Sequence, residues 1–485
     1  MAASARQLVR DAAALFSGEL LGKIAGFVAF AALARRLAPD TYGAVELAVG
    51  LSMFFMLIVD FGFGPVGARE IARDASRAVP LAAEIPAIRL LLAVIATSGM
   101  SATVWLLPGL GHDARVLGTL FAIALLGTAW ASRWLFQGLD RMIAAALPQA
   151  LRMLLFAVGV VLLVHADGEL WRVGAIEIAS VAAMAIYYLV AQLRIVGPVR
   201  LDFRPTALRP LLVEALPMGT SQLVWAMNQY LPIVLIATLI GGAEVAWFGS
   251  AHRIVMSLST FVWLYYFNLF PSLVRAGEAG GDALGQLLGR SFRVSTWSGL
   301  GGGLVASVSA KELCRAVYGP GFEAAAVPFA LLAWSIPVAL ASGHARFSLI
   351  AAGRQVEDLR ANAAGAVFTA AACVALIPRY AAAGAAAALL GSTVVIWLVA
   401  HARAARFLGP IPFLGPVARP AAAAIAAAAL HRLLADSPVA AAAGAIGLYL
   451  ALALVLEPAL LRDLRELRRE ERGAPAPTAA SGAKP

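Results

Sequence analysis

Fourteen apolar stretches, each about long enough to cross a bilayer, follow one another from residue 12 to residue 458. They lie at about 12–34, 42–64, 85–107, 116–138, 143–165, 173–195, 216–240, 245–271, 291–310, 325–351, 360–378, 381–402, 417–435 and 438–458. A hydrocarbon core about 30 Å thick takes roughly 20 apolar residues per helix. No gap between the stretches has room for a soluble domain. The expected fold is therefore an all-α polytopic membrane protein of about 14 transmembrane helices. Composition agrees: 61% of the 485 residues are hydrophobic and 14% charged, with a mean hydropathy of +0.82. A soluble domain carries about 25% charged residues.

The net charge of +10 raises the question of nucleic acid, and its placement answers it. Of the 38 lysines and arginines, twenty-five fall in the segments that are cytoplasmic if the N-terminus is. Eight fall on the other side: Arg35, Arg36, Arg115, Arg172, Lys311, Arg315, Arg379 and Arg432. This positive-inside bias predicts two cytoplasmic termini and marks topology, not a nucleic-acid surface. Some of these arginines are placed to meet anionic membrane lipids. Arg6 and Arg10 precede an apolar stretch, but Glu19 and Lys23 interrupt it, which argues against a cleaved signal peptide. Cys314 and Cys373 allow no disulfide framework and read as packing residues.

The spans group as six, six and two. Residues 1–196 hold spans 1–6, 197–215 form a proline-containing cytoplasmic linker, 216–402 hold spans 7–12, and 417–458 hold two extra spans. Six is even, so both halves enter the membrane with the same orientation, a parallel pseudo-repeat known among transporters. Tyr42-Gly43-Ala44 and Phe248-Gly249-Ser250 open corresponding spans, and Gln137-Gly138 and Ala352-Gly353 close another pair. The tail 459–485 begins as a short basic amphipathic helix suited to the interface and turns Ala/Pro-rich, as disordered segments do.

The charges inside the spans are the main clues to function, because an intramembrane charge costs at least about 2.5–3.5 kcal/mol and marks function by default. Glu19 and Lys23 are four residues apart on one helix, so they form either a self-neutralising pair or a cationic point in a water-filled cavity. Gly18, Gly22 and Gly26 line a face of the same helix and suit close packing. Arg253 lies deep in span 8. It is either a phosphate-binding fork or half of an interhelical salt bridge to Glu46 or Glu19. Arg152 reads as structural, and Arg133 and Arg346 as snorkelling residues near span ends. Asn228, between Trp225 and Tyr230, suits a sugar or a neighbouring helix, and His252 is a titratable candidate. Asp60, Gly62, Gly64 and Pro65 end span 2 in a run able to cap, kink or gate. There is no G-x-x-x-x-G-K-[ST] loop for ATP and no H-E-x-x-H or Cys/His cluster for a metal, so neither a cofactor nor a metal is expected.

Leu33-Ala34-Arg35-Arg36-Leu37-Ala38-Pro39-Asp40-Thr41-Tyr42-Gly43 resembles the first outer turn of the polysaccharide-exporter family of the multidrug/oligosaccharidyl-lipid/polysaccharide (MOP) superfamily, which includes the Wzx-type O-antigen flippases. Asp60-Phe61-Gly62 before Arg69-Glu70, Trp134-Leu135-Phe136-Gln137-Gly138, Phe270-Pro271, Ala352-Gly353-Arg354, Ile377-Pro378 and Gly384-Ala385-Ala386 fall in that family's order, over about 12–402. The resemblance implies two six-helix lobes around a central cavity lined by spans 1, 2, 7 and 8, which favours Lys23 and Arg253 over Arg152. It also implies a non-enzymatic flippase of the bacterial inner membrane. Its substrate would be an undecaprenyl-pyrophosphate-linked oligosaccharide or exopolysaccharide precursor, moved by alternating access. On this reading Lys23 and Arg253, with Glu19, Glu46, Asn228 and His252, form the substrate cavity. Glycan polymerases or glycosyltransferases of the same pathway are the expected partners. The alternatives are a cation-coupled multidrug exporter of the same superfamily and a polytopic glycan ligase or polymerase.

Overall fold

The structure is a computed structural model that describes residues 5–279, 281–409, 414–434 and 437–459. The tail expected to be amphipathic and then disordered lies, from residue 460, outside the described residues. The chain runs through α1 (Ala5–Arg36), α2 (Pro39–Asp60), α3 (Phe63–Arg73), α4 (Ala78–Leu106), α5 (His112–Thr128), α6 (Arg133–Gly138), α7 (Met142–Leu163) and α8 (Leu170–Ile195). It continues through α9 (Pro205–Leu239), α10 (Ala243–Ala279), α11 (Gly281–Val308), α12 (Ala310–Tyr318), α13 (Ala326–Ala333), α14 (Ser335–Ala351), α15 (Gln355–Leu408), α16 (Leu414–Leu433) and α17 (Pro438–Leu456). Among the described residues there is no strand. Among the described residues, ten helical segments are long and apolar enough to cross a membrane, and each of the fourteen expected spans falls largely on helix. Helices satisfy every backbone group internally, which hydrocarbon requires. The chain is a multi-pass membrane protein.

Several expected spans are interrupted. Span 2 breaks between α2 and α3, where Phe61 (φ 37) and Gly62 (φ 81) adopt left-handed backbone. A Cβ on Gly62 would come within 2.9 Å of Met218 Cβ, so glycine is required there by both conformation and space. Span 4 breaks at residues 129–132, between α5 and α6. Spans 11 and 12 are the two halves of α15, which reverses at Ala381 (φ 49, ψ −129). Gly391 faces Phe368 and Gly384 faces Leu376, as in an antiparallel hairpin.

The helices gather into two compact units. The first comprises Met1–Ser257, Lys311–Leu332 and Asn362–Val395, and the second Leu258–Ala310, Ala333–Ala361 and Ile396–Pro485. Phe63, Leu81, Trp134, Phe136 and Tyr188 anchor a core in the first unit. The stripe Gly18-Gly22-Gly26 seats α1 on α7, against Ala146, Ala150 and Met153. In the α1–α2 turn, Arg36 donates to the carbonyls of Val161 and Val164, both at 2.7 Å, and so caps the end of α7. The Ala38 amide donates to Asp167 Oδ1 at 2.8 Å. Arg35 caps α12 in the same way through the carbonyls of Ala316 and Val317. The adjacent arginines of the first turn thus tie down the ends of two different helices.

In the second unit, Leu273, Leu288, Ala345, Leu349 and Ala400 form one cluster. The alanine-rich α16 and α17 pack on α11 through Ala423, Ala427, Ala445 and Trp297, where small side chains allow close approach. The Tyr449 hydroxyl donates to the Trp297 carbonyl at 2.8 Å.

Candidate functional site

The two broken spans border a cavity of about 590 Å³ inside the first unit. Irregular backbone at membrane depth is tolerated where it is buried in protein or lines a cavity. Here the ends of α2 and α5 and the starts of α3 and α6 supply Asp60, Gly64, Pro65, Thr128, Ala131, Arg133 and Trp134 to the wall. Arg89 of α4, Arg152 and Gln149 of α7, Glu177 and Tyr188 of α8, and Gln222 of α9 complete its polar lining.

Each charge in this cavity has a partner. Arg89, 6% exposed, donates Nη2 to Asp60 and Nη1 to the Ala131 carbonyl at 2.9 Å. That carbonyl belongs to the break between α5 and α6, so Arg89 joins both interruptions. Asp60 Oδ1 also lies 3.3 Å from where a Gly64 Cβ would stand, so glycine leaves room for the carboxylate over the first turn of α3. Negative charge is favoured there. Arg152 Nη1 meets Glu177 at 3.3 Å, and both side chains are about nine-tenths buried. Arg133, more exposed, reaches Glu19 at 2.8 Å. Burying two charges is tolerated only when they are paired and hydrogen-bonded.

A second constellation joins α2 to α10. Arg253 Nε and Nη2 donate to the two oxygens of Glu46 at 3.0 and 2.7 Å, a bidentate pair. The Tyr42 hydroxyl donates to the same carboxylate at 2.5 Å. The guanidinium lies 3.3 Å from the Phe30 ring centroid. Gly249 makes room for the Glu46 side chain, and Gly43 lets α2 approach the Gly242 carbonyl and Val245. Each of the two matching tripeptides of the sequence thus holds a glycine that lets the neighbouring segment of chain come close.

His252 Nε2 meets Gln229 at 3.2 Å. Asn228 is buried and accepts from Ser392 (2.9 Å) and from Thr369. Of its two expected uses, a sugar or another helix, these contacts occupy the second. Arg346 pairs with Asp358 at 2.6 Å within the second unit. Glu19 and Lys23 are exposed.

None of Lys23, Glu46, Asn228, His252 and Arg253 lines the cavity. Asp60, Gly64, Pro65, Arg133 and Arg152, which the sequence offers as gate or lesser candidates, do line it. Arg89, Glu177, Gln149 and Gln222 do not stand out in the sequence, and Gln137 does so only as part of a span-closing motif. Arg89 sits at the edge of a basic inner segment and counts with it. Glu177 carries a usable signal: it is an acid inside span 6, at a depth close to that of Arg152 on the antiparallel neighbour.

Paired charges are thus buried beside two interrupted spans of a helical membrane protein. The family model for "Polysaccharide biosynthesis protein" matches residues 8–276, and the chain belongs to that family. No curated protein sequence matches the chain. Among solved structures, the lipid II flippase MurJ in an inward closed conformation aligns with a TM-score of 0.71 at 10% identity, covering 92% of this chain and 99% of its own. A multidrug resistance MATE family transporter of the MOP superfamily, in an inward-facing conformation, aligns with a TM-score of 0.64 at 14% identity, covering 80% and 94%. The chain has the fold of MOP-superfamily transporters.

Proposed function

We propose that this protein is a flippase of the bacterial inner membrane that carries a lipid-linked oligosaccharide or exopolysaccharide precursor, built on undecaprenyl pyrophosphate, from the inner to the outer leaflet by alternating access. Both termini are cytoplasmic on this reading, and the lipid-linked glycan comes from glycosyltransferases of the same pathway. The observation that carries the proposal is the cavity of about 590 Å³ whose polar lining sets Arg89, Arg133 and Arg152 beside Asp60, Glu177 and three glutamines. An amphiphile with a long lipid tail and an anionic, hydroxyl-rich head needs a polar chamber for the head while the tail stays in hydrocarbon. Guanidinium forks suit phosphate and carboxylate. Membership of the polysaccharide biosynthesis family supports a saccharide cargo, and the name of the MurJ neighbour supports a lipid-linked one. Lys23, exposed on α1, is a candidate contact for the pyrophosphate.

The test is translocation in proteoliposomes loaded with a fluorescent undecaprenyl-pyrophosphate glycan, read as the fraction accessible from each side. The protein should speed the change of sidedness without changing any covalent bond. Lys23→Ala should slow it at unchanged membrane abundance. Sidedness no faster than in empty vesicles, or an altered glycan, would overturn the proposal.

A further inference from the structure

The ion pairs of the chamber do not use up its hydrogen-bonding groups. Among the described residues, Arg152 is 8% exposed and bonds only through Nη1, to Glu177 and to the Met153 sulfur at 3.7 Å. Its Nε and Nη2 edge is left over. Arg89 Nε and Arg133 Nε are buried without an acceptor. Gln222 Oε1 is buried without a donor, and Gln137 and Gln149 make no side-chain hydrogen bond among the described residues. Each of the three arginines of the lining has a carboxylate partner, Asp60, Glu177 or Glu19, so it is the unmatched guanidinium edges and not a net charge that the chamber offers.

Unused buried polar groups are costly unless a ligand or water meets them. The groups left over here are of two kinds. Guanidinium edges present paired N–H donors, the complement of a carboxylate or phosphate. Carboxamides both donate and accept, the complement of a hydroxyl. The volume falls in the range of small-molecule sites, about 300–1,000 Å³, and suits one or two sugar rings, not a long glycan.

We propose that the chamber is an acidic-saccharide subsite: the free edge of Arg152 holds the anionic group of one sugar unit, while Gln137, Gln149 and Gln222 meet its hydroxyls. This rests on the flippase reading for the reason a saccharide reaches the site, and it makes the protein selective for precursors that carry a negatively charged sugar near the lipid. Neutral glycans would leave the arginine edges unmatched.

The full-length protein in nanodiscs would be titrated with glucuronate, glucose 1-phosphate, glucose and inorganic phosphate. At least one acidic sugar should bind about tenfold tighter than glucose. Arg152→Gln combined with Glu177→Gln, which neutralises both partners and strands neither, should abolish that preference. Should the double variant fail to fold, Gln149→Leu serves instead: it should weaken the acidic sugar while leaving inorganic phosphate unchanged. Three results would overturn the subsite: glucose bound as tightly as the acidic sugars, no acidic sugar bound, or an undiminished preference in the variants. Inorganic phosphate bound as tightly as glucose 1-phosphate would remove the saccharide part of the claim. The translocation assay separates the two proposals. Full translocation by protein that ignores acidic sugars overturns the subsite alone, and charge-selective binding without translocation overturns the flippase reading alone.

Discussion

Replacing Glu46 by glutamine tests whether Arg253 is a structural cation held in place by one carboxylate. Glu46 is 3% exposed. It accepts from Arg253 at 3.0 and 2.7 Å and from the Tyr42 hydroxyl at 2.5 Å. Glutamine keeps the shape and one acceptor oxygen but loses the counter-charge, leaving the guanidinium against Phe30 with no anion. Breaking a buried pair on one side costs roughly 3–5 kcal/mol. The Arg253 side chain retains 19% exposure, which screens part of the loss and places the expectation at the lower end, about 3 kcal/mol. Removing both charges with Glu46→Leu and Arg253→Met restores a neutral interface and should cost no more than about 1 kcal/mol, because apolar replacements of a buried pair are often neutral. Equilibrium denaturation in mixed micelles, followed by tryptophan fluorescence and applied also to the single variants Glu46→Leu and Arg253→Met, gives the values needed for a double-mutant cycle. If Glu46→Gln costs under about 1 kcal/mol, or if the double variant costs as much as the two single ones together, the pair is not coupled and the reasoning fails.

Two further outcomes are expected. Gly62→Ala should lose roughly 1–3 kcal/mol in the same denaturation assay, since φ is 81 and the new methyl would stand 2.9 Å from Met218 Cβ; an unchanged midpoint would mean that the break between α2 and α3 relaxes freely. In the turn after α3, the Asp74 carboxyl titrates below its ordinary value because the Ser76 side chain and then the Ser76 amide, at 3.0 Å, favour its charged form. A depressed folded value means the turn is fully stabilised above the ordinary carboxyl range and loses that contribution as pH falls through the folded value; the protection factor of the Ser76 amide, its exchange relative to the intrinsic rate at each pH, should fall on acidification, and not in Asp74→Asn.

Much of the helical layout can be read without coordinates because it depends on local properties. Length and hydropathy place the helices, and the Asp60–Pro65 run announces an interruption that the backbone at Phe61 and Gly62 bears out. The break at residues 129–132 carries no glycine or proline, so nothing local marks it. The candidate site is harder. Arg253 is recognisable as a deep charge with Glu46 among its possible partners, and the two meet across 207 positions of chain. Arg89 passes for a loop residue because span ends are uncertain by several positions. Arg152 draws little notice because its depth alone does not tell a structural cation from one beside a void.

The sequence by itself determined that this chain is an all-helical, multi-pass membrane protein, because apolar runs of bilayer length in hydrocarbon have to satisfy their own backbone bonds. Only the tertiary structure decided which charges meet: Asp60 with Arg89, Glu177 with Arg152, Glu46 with Arg253. It also decided that the arginines of the chamber stand beside a void. The reason is that an ion pair is set by distances of a few ångströms between helices far apart in the chain, and a cavity by what several of them together fail to fill.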